Sequence, residues 1–148
     1  MSTAEGMAVA LAEARAAAAR GEVPIGAAIA LDGKIIARAG NRTRAEDDPT
    51  AHAEMLAIRA AAAAIGSERL VGADLYVTLE PCAMCAAAIS FARLRRLYFG
   101  ASDEKGGAVE SGVRFFAQPT SHHAPEVYGG LAADEAATML REFFRARR

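Results

Sequence analysis

The stretch Thr78-Leu79-Glu80-Pro81-Cys82-Ala83-Met84-Cys85 contains the only two cysteines of a 148-residue chain, and they are three positions apart. His52-Ala53-Glu54 places a histidine and a glutamate upstream of them. Two thiolates and one imidazole are a ligand set that suits zinc, and three protein ligands leave the fourth tetrahedral position open to water, as in catalytic sites. The sequence therefore predicts one catalytic zinc ion per chain, bound by His52, Cys82 and Cys85.

Secondary-structure patterns predict how these ligands come together. Asp74–Leu79 alternates and is rich in strand-forming residues, whereas Cys82–Ala92 has high helix propensity. Thr50 is the predicted N-cap of a helix over Ala51–Ile65, and Gly66 is its predicted end. Both ligand segments then lie at helix N-termini, where the partial positive charge favours thiolate over thiol.

Glu54 is the predicted catalytic base. It lies two positions after His52, so on a helix the two side chains do not stack, and the carboxylate can face the water while the imidazole binds the metal. A base beside a metal-activated water is suited to hydrolysis. H-x-E followed by P-C-x-x-C is the signature of zinc-dependent deaminases. The alternatives are a buried histidine with two buried thiols, or a closed zinc knuckle, for which only His122 and His123 remain as further histidines.

Length and composition predict a single domain over residues 1–148 in the cytoplasm. Charged residues make up 24% of the chain, which is typical of globular proteins. No apolar run reaches about 18 residues and no signal-peptide pattern occurs, so we expect no membrane span. Two cysteines at metal-binding spacing fit a reducing compartment.

The net charge of −1 does not indicate nucleic-acid binding for the chain as a whole. Any evidence for it must therefore come from local clusters of basic residues. Two basic clusters occur, and their members are Arg93, Arg95 and Arg96, then Arg141, Arg145, Arg147 and Arg148.

The remaining segments complete an alternation of helices and strands. Further helices are predicted over Ala4–Arg20, Val109–Ala117 and Leu131–Arg147. Further strands are predicted over Ile25–Leu31, Lys34–Arg38, Leu97–Gly100 and Glu126–Tyr128, with Asp32-Gly33 as a hairpin turn. This order implies α/β layers around one mixed sheet. Asn41 precedes the His52 helix in a polar loop, and the residues alone favour a simple turn position for it.

Beyond the zinc motif, segments along nearly the whole chain resemble the bacterial tRNA-specific adenosine deaminases, which belong to the cytidine and deoxycytidylate deaminase superfamily. These segments are Glu22–Gly26, Asn41-Arg42, Thr50–Glu54, Leu75–Cys85, Phe99–Ala101 with Asp103, and Phe143–Arg148. The zinc motif alone is shared by cytidine, cytosine and guanine deaminases, whereas the flanking segments indicate the tRNA enzymes.

The resemblance implies a three-layer α/β/α cytidine-deaminase-like fold with one mixed central sheet of about five strands. It also implies a homodimer that uses zinc to convert the wobble adenosine of a tRNA anticodon, chiefly that of an arginine tRNA, to inosine. The substrate contact would be the anticodon stem-loop.

By the same resemblance, several residues are expected to contact the substrate. Asn41 would hold the target nucleotide, and the Ala53 backbone and Val23 would cradle its base. Asp103 and Lys105 would lie beside the anticodon loop. The basic end of the last helix would approach the RNA through Arg145, Arg147 and Arg148.

Two other functions remain open at the level of sequence. A deaminase of free nucleobases or nucleosides, such as guanine, cytosine or cytidine, would use the same zinc and glutamate without polymer contacts. A non-catalytic partner subunit would typically lack the catalytic glutamate, and Glu54 is present.

Overall fold

A computed structural model describes residues 1–147, and Arg148, one of the predicted RNA contacts, lies outside the described residues. Helices and strands alternate along the chain as the sequence predicts. In order they are α1 (Thr3–Ala19), β1 (Gly26–Leu31), β2 (Lys34–Gly40), α2 (Ala53–Ile65), β3 (Asp74–Leu79), α3 (Ala83–Ala92), β4 (Arg96–Ala101), β5 (Glu126–Tyr128) and α4 (Ala133–Arg145).

The strands form one mixed five-stranded sheet in the order β2-β1-β3-β4-β5. Strand β1 runs antiparallel to both β2 and β3, whereas β3, β4 and β5 are parallel. Leu79 at the end of β3 pairs with Ala101 at the end of β4. The segments that follow these two strands therefore leave the sheet at the same edge, and one of them carries the cysteines.

Helices cover both faces of the sheet, which confirms the three-layer α/β/α prediction. On one face, Met7 and Leu11 of α1 and Ala136 of α4 pack with Tyr76 of β3. On the other face, alanines of α2 pack with α3 and with a larger apolar core that includes Ile29, Leu75, Val77, Ile89, Leu97 and Phe99. Much of the chain's alanine thus lies at helix–sheet contacts. No helix of residues 1–147 has the length and apolar character needed to cross a membrane.

Helix α2 begins later than the sequence suggests. The predicted N-cap Thr50 instead donates its backbone N–H and its hydroxyl to Asp48 Oδ1, at 2.8 and 2.7 Å, and so belongs to a turn. His52 is the N-cap of α2 and Cys82 is the N-cap of α3, both with extended backbone. The predicted end of α2 is confirmed, because Gly66 is its C-cap in the left-handed conformation.

The predicted helix over Val109–Ala117 is wrong. Only Phe115–Ala117 forms a single 3-10 turn, because the amides of residues 109–111 donate to the Glu80 carboxylate and not to helical carbonyls. Helix α4 also begins later than predicted, since residues 131–132 form a turn in which the Leu131 amide donates to the Phe99 carbonyl at 3.1 Å.

Candidate active site

The three predicted metal ligands lie together at one edge of the sheet. The donor atoms of His52, Cys82 and Cys85 are all within 4.8 Å of one another. His52 Nδ1 lies 3.7 Å from Cys82 Sγ and 3.6 Å from Cys85 Sγ. Because His52 caps α2 and Cys82 caps α3, two helix N-termini converge on this cluster, as the sequence predicted.

These distances fit a tetrahedral zinc ion. Zinc–sulfur bonds of about 2.3 Å and zinc–nitrogen bonds of about 2.0–2.1 Å place neighbouring sulfur and nitrogen ligands about 3.6 Å apart at the tetrahedral angle. The two observed sulfur–nitrogen distances match that separation. The donors are of the soft and borderline type that zinc prefers. His52, Cys82 and Cys85 would therefore hold the zinc ion.

The ionisation of Cys82 favours metal binding. The pKa of Cys82 is lowered to about 4, chiefly because the Cys85 thiol donates a hydrogen bond to it. The same hydrogen bond, together with burial, raises the pKa of Cys85. The pKa of His52 is raised, first by its hydrogen bond with Cys82. Cys82 is thus a thiolate at neutral pH, which is the form that binds metals.

The cluster has three protein ligands and not four, within residues 1–147. His123 Nε2 lies 2.7 Å from the Leu94 carbonyl oxygen, and the His122 ring lies 6.2 Å from the ring of Phe91. Neither histidine joins the metal cluster. The structure therefore does not support the closed-knuckle alternative, and it leaves one coordination position for a water or a substrate.

Glu54 lies beside the ligands, in the first turn of α2. Its side chain is 4% exposed and its carboxyl is within hydrogen-bonding reach of the Cys85 thiol. Burial, which disfavours the ionised form, raises the pKa of Glu54 to about 7. A carboxyl that moves protons at neutral pH works best with a pKa in this range. Its position and its pKa are those expected of a proton shuttle.

Three of the predicted substrate-binding residues are linked to the metal site through the backbone. The Asn41 amide donates to the Ile25 carbonyl at 3.0 Å, two residues after Val23, and the Arg42 amide donates to the Ala51 carbonyl at 3.0 Å, next to His52. Asn41 is buried, and its role in holding the substrate stays a prediction. The Ala53 side chain lies in the core, and Ala53 is the first residue of α2, directly after the predicted ligand His52.

Asp103 and Lys105 lie in the segment that follows β4, on the other side of the cysteines. Asp103 Oδ1 accepts the amides of Lys105 at 3.2 Å and Gly106 at 2.9 Å, so its carboxylate closes a turn. Lys105 is exposed on that turn. Asp103 therefore helps to fix the backbone at Lys105.

The predicted RNA contacts at the end of α4 differ in the contacts that they make within the chain. Arg147 lies with its guanidinium carbon 3.5 Å from the Phe143 ring centroid and donates to the Phe143 carbonyl. Arg145 is exposed and lines a groove with Phe144. Among residues 1–147, no hydrogen bond or ion pair joins either arginine to the metal site.

Arg95 and Arg96, two of the three arginines in the basic cluster at residues 93–96, do not support RNA binding as their sequence suggested. Arg95 makes two hydrogen bonds to Asp74, at 3.0 and 2.8 Å, and Arg96 lies 3.4 Å from Glu126. These pairs form at the starts of β3 and β4, at the opposite end of the sheet from the cysteines. The charges of Arg95 and Arg96 are therefore largely balanced, and both residues lie far along the sheet from the metal ligands.

Two buried carboxylates that shape the site were missed at the level of sequence. Glu22 accepts the amides of Arg44 and Ala45, at 3.2 and 2.7 Å, in the loop before α2. Glu80 accepts hydrogen bonds from the segment that follows β4. Each is 2% exposed. A glutamate next to a metal-ligand motif and at the end of an apolar strand is a signal that could have identified Glu80.

Comparison with known proteins agrees with this geometry. Residues 1–101 match the family described as the cytidine and deoxycytidylate deaminase zinc-binding region. A tRNA-specific adenosine deaminase of Agrobacterium fabrum is 70% identical over 142 residues, which cover 96% of this chain and 93% of the relative. A solved structure from a study of A-to-I editing by tRNA:A34 deaminases at the wobble position of transfer RNA superposes with a TM-score of 0.91 at 69% identity, covering 92% of this chain and 99% of that one.

Deaminases of free bases are more distant. The structure of a guanine deaminase from Bacillus subtilis superposes with a TM-score of 0.67 at 31% identity, covering 82% of this chain and 89% of that one. The identity to the tRNA-specific adenosine deaminase is more than twice as high, 70% against 31%.

Proposed function

This chain belongs to the tRNA-specific adenosine deaminases, within the cytidine and deoxycytidylate deaminase family, and from that premise we propose that it deaminates the wobble adenosine of a tRNA anticodon to inosine. The convergence of His52, Cys82 and Cys85 beside the buried carboxyl of Glu54 supports the deaminase chemistry. The observation that carries the tRNA substrate is the 70% identity, over 96% of this chain, to a tRNA-specific adenosine deaminase. We further infer that the substrate is an arginine tRNA, as the family resemblance implies, and that the protein acts in the cytoplasm, where tRNA is found.

The reaction adds water to adenosine and releases ammonia. His52, Cys82 and Cys85 would hold a zinc ion, which when bound would supply an activated water as the nucleophile. Glu54 carries a proton from the nucleophile to the adenine ring nitrogen, and then a second proton to the departing amino group. The burial of Glu54 keeps this shuttle out of bulk solvent.

Substrate positioning would come from the segments on either side of the cysteines. Asn41 is held by its backbone between Ile25 and the start of α2, so its amide side chain can hold the target nucleotide, with Val23 and the Ala53 backbone against the base. Lys105 is exposed on its turn and can meet phosphate. An unpaired loop nucleotide splayed into a pocket is the usual way in which proteins recognise single bases of RNA.

We also propose that the protein is a homodimer. Ile58 of α2 and Phe91 of α3 line one surface groove, and Phe91 is 67% exposed. Aromatic side chains are enriched in protein–protein interfaces, so the exposed Phe91 supports the homodimer that the family resemblance implies. We therefore expect the protein to sediment as a dimer of 15.4 kDa chains.

The experiment that tests the proposed function compares four substrates with the zinc-loaded protein. These are an anticodon stem-loop with a wobble adenosine, free adenosine, free cytidine and free guanine. We expect rapid conversion of the stem-loop alone, because remote contacts to the RNA position the reacting base. Rapid turnover of guanine or cytidine with an untouched stem-loop would establish the free-base alternative.

We also predict that Arg145 contributes more to RNA binding than Arg147, since the Arg147 guanidinium already packs on Phe143. Arg145→Ala should raise the KM for the stem-loop and lower the slope of log KM against log salt by about 0.7 for each phosphate that the variant no longer neutralises. Arg15→Ala on α1 removes the same charge from a residue paired with Glu135 and serves as the control. Equal salt slopes in wild type and Arg145→Ala would exclude a phosphate contact by Arg145.

A further inference from the structure

Glu80 is a buried carboxylate that the proposed chemistry does not use. It accepts five hydrogen bonds, from the amides of Asp103, Val109, Glu110 and Ser111 and from the Ser111 hydroxyl, at 2.9 to 3.1 Å. Within residues 1–147 no lysine or arginine forms an ion pair with it. The charge of Glu80 is therefore balanced by the loop that follows β4, and mainly by its backbone.

This arrangement makes the conformation of the loop depend on one side chain. Residues 103–111 form no helix or strand, so few backbone hydrogen bonds of their own hold them. Four of their amides converge on Glu80, and the Ala108 amide donates to the Pro81 carbonyl at 2.9 Å. A buried carboxylate that loses such donors is costly, and unpaired buried amides are costly too.

The loop also lies very close to the Glu80 side chain at Gly107. A Cβ atom on Gly107 would lie 2.6 Å from Glu80 Cδ and would collide with the Asp103 carbonyl oxygen. Only glycine at this position lets the loop lie directly on the carboxylate.

Glu80 connects two parts of the site that are distant in sequence. It directly precedes Pro81 and Cys82, so the same turn that presents a metal ligand also holds the loop that carries Asp103 and Lys105. A shift of this loop would therefore move the proposed RNA-facing surface relative to the metal ligands.

We propose that Glu80 is a positioning residue for substrate, which fixes the 103–111 loop in the conformation that receives the RNA. The inference rests on the proposed function, because it assigns the loop to the RNA side of the same site. Glu80 does not touch the reacting atoms, so its effect should fall mainly on KM.

The test compares Glu80→Gln with Asp74→Asn. Glutamine replaces one acceptor oxygen by an NH2 group that faces N–H donors, so part of the hydrogen-bond network is broken without a change in size. Asp74 is also a buried carboxylate, but it lies at the opposite end of β3 and pairs with Arg95. Both changes are expected to reduce stability, and only the first should alter the substrate loop.

We expect Glu80→Gln to keep its zinc and to lower kcat/KM for the stem-loop by about 10- to 100-fold, with most of the loss in KM. Hydrogen exchange should accelerate at the amides of Asp103 and residues 109–111, but not in α3. Gly107→Ala should give the same kinetic change, since its Cβ pushes the loop away from Glu80. Asp74→Asn should leave the KM and this exchange pattern unchanged.

Equal KM values in wild type and zinc-loaded Glu80→Gln, or equal effects of Glu80→Gln and Asp74→Asn, would overturn the proposal. Unchanged hydrogen exchange at residues 109–111 would overturn it as well. The proposed function fails separately, if the wild-type protein does not convert the stem-loop. In that event the exchange measurement still decides whether Glu80 holds the loop.

Discussion

Glu54→Gln should lower the deamination rate by about 10²- to 10⁴-fold while zinc content and fold are retained. The carboxyl is buried beside Cys85, and glutamine has nearly the same volume but cannot carry a proton between water and base. The variant should therefore still bind the stem-loop. Single-turnover rates with a known amount of zinc-loaded protein provide the measurement, because they separate chemistry from binding.

Glu5→Gln is the matched control for this result, since Glu5 is exposed in the first turn of α1. It should behave as wild type. If Glu54→Gln keeps activity within about tenfold of wild type, another group must transfer the proton.

His52→Ala should remove zinc and activity together. Changes to groups that only support a metal ligand already cost about 10- to 100-fold in metal affinity, so the loss of one of three ligands should cost more than about 100-fold. Because the metal binds the native state in preference to the unfolded chain, its loss should also lower the free energy of unfolding, by about 2.7 kcal/mol where free zinc is about 100 times its wild-type Kd. Elemental analysis and thermal unfolding with and without a chelator measure both effects.

His122→Ala is the control for this change, because it removes an exposed imidazole that lies outside the ligand cluster. We expect it to retain one zinc ion per chain. Loss of zinc from His122→Ala, or its retention by His52→Ala, would show that the ligand set is wrong.

The sequence was most informative where local chemistry determines structure. The spacing of Cys82 and Cys85, together with His52, was enough to predict the metal ligands that the fold brings within 4.8 Å of one another. The alternation of helices and strands, read with the family resemblance, likewise predicted the three-layer fold and its five-stranded sheet. Both patterns depend on neighbouring residues and on periodicity, which a single sequence displays directly.

The predictions from sequence were wrong where contacts between residues distant in sequence override local secondary-structure propensity. Residues 109–111 do not form the predicted helix because their amides donate to Glu80, which lies about 30 positions earlier. Arg95 and Arg96 form a basic cluster in the sequence, but the strand pairing places them beside Asp74 and Glu126. The helix predicted from Thr50 begins later because Asp48 captures the Thr50 donors.

Position-specific detection of inosine tests the central claim most directly. The zinc-loaded protein would be incubated with an arginine-tRNA anticodon stem-loop and with a second loop in which the adenosine is moved by one position, followed by mass spectrometry of the RNA fragments. We predict inosine at the wobble position of the first loop alone, and none with Glu54→Gln. Absence of inosine in the first loop, with efficient deamination of free guanine or cytidine by the same preparation, would contradict the account.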